Sequence, residues 1–174
     1  NKKFYNFLNK NINEILKLKS PILEKSIYES CKVKKSIVEK DENEKSIRKI
    51  LNFGHTFAHA FEATLGYSKK LNHGEAVILG IVTALKFSLN TKIITYKNCS
   101  QILNHITNSK LPSNIKDYFS YNDLNKILKF MSKDKKNISK KVNLILLNKI
   151  GSTLINNEYN NLKVKEFLKK ELTD

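Results

Sequence analysis

The 174-residue chain is 40% apolar, which is enough for the hydrophobic core of one domain and argues against a wholly disordered protein. Its formal net charge of +16 comes from scattered lysines and a single arginine, which argues against nucleic-acid binding because base and phosphate recognition favour arginine. The longest apolar run, Ala76–Leu85, is about half the roughly 20 residues of a membrane helix and predicts a buried helix.

Apolar residues recur at helical spacing through most of the chain, which predicts a mainly α, multi-helical fold. The predicted helices cover residues 3–17, 21–40, 52–65, 74–89, 96–109, 122–132 and 162–172. Asn52 is the expected cap of the third helix and Gly66 its end, and a charged connection over 41–49 precedes it.

One small β-hairpin is predicted near the C-terminus, with strands at 141–147 and 152–155 around a turn at 148–151. No strand precedes a glycine-rich phosphate loop. These residues therefore provide no dinucleotide-binding fold, and we predict no cofactor-binding residue among them.

Residue types that the chain uses sparingly are concentrated between Arg48 and Gly80. Three of its four histidines, four of its five glycines and its only arginine fall there. If the third helix begins early enough, Arg48, Asn52, His55 and His59 form one polar stripe on its face. The arginine favours bidentate recognition of a carboxylate or phosphate, although ordinary polar residues at a helix start are the alternative.

The histidines suggest a metal site. His55 and His59 are four residues apart on a predicted helix, so both rings can face one ion or ligand. His73 stands at the start of the next helix, where its ring can point towards the preceding element. Imidazole suits zinc, and a catalytic zinc keeps an open position beside three protein ligands. Glu62 or Glu75 could complete the set, or serve as a solvent-facing or helix-capping carboxylate.

The order of the motifs resembles that of the 3-dehydroquinate synthase family, over nearly the whole chain. The matching residues are Lys34, DENE at 41–44, Arg48, LNFGHTFAH at 51–59, NHGEAV at 72–77, and DKK at 134–136 followed by the KVNLILLNKIG hairpin. Ala58 replaces a glycine common in that motif, a change of one small residue for another.

The resemblance implies an enzyme of the shikimate pathway, which leads to the aromatic amino acids. The family converts 3-deoxy-D-arabino-heptulosonate 7-phosphate to 3-dehydroquinate and phosphate, as an NAD- and metal-dependent carbon–oxygen lyase. Its members combine an N-terminal α/β domain that binds NAD with a mostly helical C-terminal domain. The chain resembles the second domain alone, residues 1–174, and we expect it to be inactive without the first.

The resemblance also implies residue roles. His55 and His73 match two ligands of a zinc or cobalt ion, and the third ligand, a glutamate, would lie upstream of Asn1. Glu44 matches an acidic residue near the metal. The residues that match carboxylate-holding groups are Lys34 and Arg48, and those on the phosphate side are Asn52, His59 and either Lys135 or Lys136. The implied catalytic residues are Lys34, Glu44, Arg48, Asn52 and His59, of which His59 could assist proton movement.

Two other interpretations stay open at this point. Other sugar-phosphate cyclases and metal-dependent polyol dehydrogenases share the H-x-x-x-H pattern followed by HG, but Arg48, Asn52 and the DKK motif favour a substrate with a carboxylate and a phosphate. A basic helical nucleic-acid-binding module would explain the charge but not the histidine spacing. We therefore expect a small anionic sugar phosphate as partner, with neither nucleic acid nor membrane.

The remaining expectations concern the whole protein. The chain starts at Asn1 in a segment that already looks helical, which suggests a piece of a longer polypeptide. Cys31 and Cys99 lack a paired spacing and no secretory leader is visible, which favours a reducing, cytoplasmic location. At full length we expect a homodimer.

Overall fold

The computed structural model describes residues 1–133 and 141–173, and helices dominate this part of the chain. The α-helices are α1 (Lys2–Leu16), α2 (Ile22–Val38), α3 (His55–Thr64), α4 (His73–Asn90), α5 (Tyr96–Asn108), α6 (Leu124–Lys133) and α7 (Asn161–Thr173). Short 3₁₀ helices cover Ile47–Asn52, Ile115–Asp117 and Tyr121–Asp123, and the strands are β1 (Lys141–Lys149) and β2 (Ser152–Asn160). The prediction of a mainly helical domain with one hairpin is confirmed.

The start of the third helix was predicted wrongly. Asn52 does not cap it: Asn52 is the last residue of a 3₁₀ helix, and α3 begins only at His55. The residue that precedes α3 is Gly54, whose φ of 83° lies in the left-handed region, where a side chain would be strained. The chain therefore changes direction at Gly54.

The hydrophobic core is built around α4. The apolar run Ala76–Leu85 lies within this helix, and most of its residues are buried, as predicted. One side of α4 packs with α3, α6, α7 and β1 in the larger core cluster, and the other side packs with α5 in a smaller one. In the described residues no helix has both the length and the apolar character needed to cross a membrane.

The hairpin closes one side of this core. β1 and β2 pair antiparallel from Lys141 opposite Asn160 to Lys149 opposite Ser152, so β2 is longer than predicted. Val142, Leu144 and Leu146 on β1 are buried against α4 and its neighbours, because alternate strand residues face the same side.

The contact between α3 and α4 is unusually close at two glycines. An ideal Cβ at Gly54 would lie 2.6 Å from the backbone nitrogen of Ile81. One at Gly80 would lie 2.9 Å from the backbone nitrogen of Ala58 and even closer to the carbonyl oxygen of Gly54. Neither position has room for a side chain. The start of α3 is therefore held at a fixed place on α4, two helical turns from His73.

Candidate functional site

Three histidines meet where α3 and α4 begin. His55 is the first residue of α3, His59 lies one turn later, and His73 is the first residue of α4. The ring centroid of His55 is 5.6 Å from that of His59 and 6.4 Å from that of His73. His55 is half-buried, whereas His59 and His73 are exposed. The cluster therefore opens to the surface.

Two of these rings have an acceptor at the same nitrogen. Nδ1 of His55 lies 3.4 Å from the carbonyl oxygen of Phe53, and Nδ1 of His73 lies 3.1 Å from Oε1 of Glu62. A carbonyl or carboxylate oxygen can only accept, so each contact favours the tautomer in which Nδ1 carries the proton. Nε2 is then the nitrogen left on both rings to bind a ligand. Metal-bound histidines show this pairing with a carbonyl or carboxylate.

The pair fits part of a metal site. Two imidazoles that share a tetrahedral zinc through nitrogens at about 2.1 Å have ring centroids roughly 5 Å apart, and the centroids of His55 and His73 are 6.4 Å apart. Within residues 1–133 and 141–173, no group of three or more histidine, cysteine, aspartate or glutamate side chains is arranged to hold an ion. His55 and His73 therefore form a pair of candidate donors, which does not by itself complete a metal site.

Neither of the two glutamates considered from sequence stands as a third ligand. Glu75 serves the alternative role, helix capping: its Oε2 accepts a hydrogen bond of 2.9 Å from the backbone nitrogen of Asn72, in a capping box at the start of α4. Glu62 is neither a cap nor solvent-facing, since its side chain is only 12% exposed and its Oε1 contacts His73.

The loop before the 3₁₀ helix is organised by one carboxylate. Oδ1 of Asp41 accepts from the backbone nitrogen of Lys45 at 2.9 Å, and Oδ2 accepts from those of Ser46 at 2.7 Å and Arg48 at 2.9 Å. The hydrogen bond from the Arg48 backbone is the main cause that holds the pKa of Asp41 below its usual value, helped by the bonds from Ser46 and Lys45. These bonds to the charged form fold the loop around Asp41.

The folded loop carries the candidate residue Glu44, and the 3₁₀ helix after it carries Arg48 and Asn52. Glu44 has a φ of 55°, and its Oε1 accepts a short hydrogen bond from Nδ2 of Asn52. Nη1 of Arg48 donates to the carbonyl oxygen of Glu42 at 2.6 Å. Within the described part of the chain, Nε and Nη2 of Arg48 have no hydrogen-bond partner, so part of the guanidinium fork remains available for an anion.

The expected single stripe of polar residues on one helix was wrong. Arg48 and Asn52 lie on the 3₁₀ helix, whereas His55 and His59 lie on α3, and the turn at Gly54 separates the two pairs. The separation coincides with the left-handed backbone of Gly54, a conformation that a right-handed helix cannot include, at the point where Gly54 packs closely on α4. The site is therefore assembled from two elements.

The other predicted residues are less defined by the structure. Lys34 is exposed on α2, a helix that contacts the 3₁₀ helix bearing Arg48. Lys135 and Lys136 lie outside the described residues.

Two structural roles were missed from sequence. Asp41 was noted only as part of a motif, although an aspartate before a short polar stretch often binds backbone nitrogens a few residues on. The contact of Glu62 with His73 joins two helices and leaves no local sequence signal.

Comparisons with known proteins agree with this architecture. Residues 1–137 match the family described as 3-dehydroquinate synthase C-terminal. The chain is 56% identical over 172 residues to a 3-dehydroquinate synthase of Pelagibacter ubique, covering 99% of the chain and 47% of that protein. It is 39% identical over 167 residues to one of Thermoanaerobacter pseudethanolicus, covering 95% of the chain and 44% of that protein. The chain thus spans about half the length of these relatives.

Solved structures show the same fold at low identity. A 2-deoxy-scyllo-inosose synthase complexed with carbaglucose-6-phosphate, NAD+ and Co2+ aligns with a TM-score of 0.69 and 24% identity, over 85% of this chain and 41% of that one. A 2-epi-5-epi-valiolone synthase from Streptomyces hygroscopicus with NAD+ and Zn2+ bound gives a TM-score of 0.78 and 14% identity, over 98% of this chain and 46% of that one.

Proposed function

The chain belongs to the 3-dehydroquinate synthase C-terminal family, and we propose that the full-length protein converts 3-deoxy-D-arabino-heptulosonate 7-phosphate to 3-dehydroquinate and phosphate. The two curated relatives described above, which carry this enzyme name, support the proposal. In this proposal residues 1–174 form the helical, C-terminal half, and an N-terminal α/β domain binds NAD.

The observation that carries the proposal is the presence of two neighbouring imidazoles together with the partly free guanidinium of Arg48. The ring centroids of His55 and His73 are 6.4 Å apart, and the contact of each Nδ1 with an oxygen leaves Nε2 for a ligand. Arg48 has part of its guanidinium free on the adjacent 3₁₀ helix. A pair of metal donors together with a cation fits a substrate with both hydroxyl and acidic groups.

In the proposed site each residue has a defined task. A divalent ion, zinc or cobalt, held by His55 and His73 and a glutamate of the N-terminal domain, would supply Lewis-acid chemistry at the substrate hydroxyls. Glu44 restrains Asn52 and lies near that ion. The residues proposed to hold the substrate carboxylate are Lys34 and Arg48, and those proposed for the phosphate are Asn52, His59 and Lys135 or Lys136. Because His59 is exposed at the mouth of the cluster, it can also exchange a proton with the leaving phosphate.

The test is a comparison of substrates on the full-length protein with NAD and Co2+ or Zn2+. Phosphate release is measured with the heptulosonate 7-phosphate and with a heptulose 7-phosphate that lacks the carboxylate, and NADH formation is measured with glycerol. We expect turnover only with the first compound. Preference for the second would indicate another sugar-phosphate cyclase, and NADH formation from glycerol a polyol dehydrogenase.

A second experiment tests the division between the two halves. The 174-residue chain alone should release no phosphate, because it would lack the NAD site and one metal ligand. Addition of the separately produced N-terminal half is expected to restore turnover if the halves associate. Steady turnover by the chain alone would refute the proposed division. The proposed homodimer and cytoplasmic location are checked by sedimentation of the full-length protein and by cell fractionation.

A further inference from the structure

We propose that Glu62 is a positioning residue for the metal-binding histidine His73. Its carboxylate accepts a hydrogen bond from Nδ1 of the imidazole and so fixes the orientation of the ring beside His55, with Nε2 left for a ligand. The inference rests on the proposed function, because it assumes that His73 binds the metal. It concerns a residue that is not itself a ligand.

The contact joins the two helices of the site. Glu62 follows His55 by seven residues on α3, two helical turns, and therefore lies on the same face. Its Oε1 is 3.1 Å from Nδ1 of His73 at the start of α4. The carboxylate thus sits directly behind the metal-binding ring, within the fixed arrangement of α3 and α4.

The two partners differ in exposure. The side chain of Glu62 is 12% exposed, whereas that of His73 is 64% exposed. An enclosed carboxylate has lost most of its hydration and requires a hydrogen-bond donor, which the ring nitrogen provides. The exposed ring of His73 has little packing to fix its orientation. The carboxylate is therefore the contact that restrains it.

The competing explanation is a purely structural ion pair between α3 and α4. Ion pairs with one strongly exposed partner contribute little to stability, about 0 to 1 kcal/mol. Such a role predicts a small change in stability and no change in metal affinity when Glu62 is removed. A positioning role predicts a loss of metal affinity of about 10- to 100-fold, as found for residues that orient histidine ligands.

The matched control is the Lys86–Glu171 pair. It also joins a carboxylate to α4, here from α7, with Nζ and Oε2 2.6 Å apart and side chains 31% and 20% exposed. It touches none of the candidate site residues. Glu171→Ala therefore reports the effect of losing an interhelical carboxylate without a role at the metal.

The experiment uses the full-length protein with Co2+ alone, in the absence of substrate and NAD. Affinity is measured by competition with a chelator, and ligand geometry by the visible absorption of bound Co2+. Glu62→Ala should weaken affinity about 10- to 100-fold and change the spectrum. Glu62→Gln should keep most of the Co2+ affinity and most of the original spectrum, because its amide oxygen can still accept from Nδ1. Glu171→Ala should change neither.

Two further outcomes separate the inference from the proposed function. If His73→Ala leaves Co2+ affinity unchanged, His73 is not a ligand and both proposals fail at this residue. If His73→Ala abolishes binding but Glu62→Ala and Glu62→Gln match the unmodified protein, the metal site stands and the positioning role is refuted. Circular dichroism of each variant verifies the fold, and Glu62→Met, which preserves the size of the side chain but provides no carboxylate or amide oxygen, is expected to weaken Co2+ affinity as well and keeps the test valid if Glu62→Ala unfolds.

Discussion

The two halves of the candidate site are held in place by different forces. The histidine half depends on buried packing, since α3 and α4 meet at Gly54 and Gly80 with no space for a Cβ. The half that bears Arg48 depends on hydrogen bonds, since the Asp41 carboxylate accepts from three backbone nitrogens, those of Lys45 and Ser46 in the loop and that of Arg48 in the 3₁₀ helix. The first half should therefore be sensitive to added volume, and the second to the loss of an acceptor.

The largest effect is expected from Gly80→Val. The new side chain would meet the backbone of Ala58 and Gly54, and overpacking of this kind typically costs about 1–3 kcal/mol. We expect the free energy of unfolding, measured by urea denaturation, to fall by at least that amount. Cobalt affinity should fall with it, because separation of α3 and α4 moves His55 away from His73.

Gly74→Ala on the same helix is the control. An ideal Cβ at Gly74 has no atom within 4 Å, so this change should be neutral or stabilise the protein by up to about 1 kcal/mol. Equal destabilisation by the two substitutions would show that close packing is not what holds the histidine half.

The next largest effect is expected from Asp41→Asn, which changes the loop organised by this carboxylate. An amide has one acceptor oxygen, so the backbone nitrogens of Ser46 and Arg48 or that of Lys45 lose their partner. We expect KM for the heptulosonate phosphate to rise several-fold in the full-length enzyme, while the Co2+ affinity and the free energy of unfolding stay nearly unchanged.

Asp123→Asn is the matched control for the loop. Oδ2 of Asp123 also binds a backbone nitrogen, that of Ser120 at 2.9 Å, but in a 3₁₀ helix without candidate site residues. Asp123→Asn should therefore leave KM for the heptulosonate phosphate unchanged. A loss of Co2+ affinity in Asp41→Asn would contradict the independence of the two halves.

A smaller effect is expected from Ala58→Gly, which tests the packed half from the opposite side. Ala58 is fully buried in the interior of α3, where glycine is less favourable than alanine by about 0.5–1 kcal/mol. The free energy of unfolding should fall by that amount. Gly80→Ala should remain destabilising in this background, because its Cβ would still contact the backbone of residues 54 and 58. If Gly80→Ala were no longer destabilising in the Ala58→Gly background, the Ala58 methyl group rather than the backbone would be the limiting contact.

Sequence patterns predicted the elements of the site better than their junctions. The apolar periodicity of α4 and the spacing of His55 and His59 depend on local geometry, and both were read correctly. The break between Asn52 and His55 was missed because it lies at Gly54, which is left-handed where it packs on Ile81, and this tertiary contact is not encoded in local propensity. The contact of Glu62 with His73 was missed for the same reason, since the two residues lie on different helices.

The smallest and most local effect is expected when the pH is lowered. Hydrogen bonds to the charged carboxylate lower the pKa of Asp41 in the folded protein, so their stabilisation is complete above the ordinary aspartate pKa of about 3.9. It is lost as the pH falls through the depressed pKa, because protonation removes acceptors. Amide NMR signals of Lys45, Ser46 and Arg48 should therefore shift in that acidic range, before those of α3 and α4. In Asp41→Asn the same three signals should not titrate with this group. If the α3 signals moved together with the loop signals in the unmodified protein, the two halves would share one cooperative unit, and hydrogen bonding in the loop would also support the histidines.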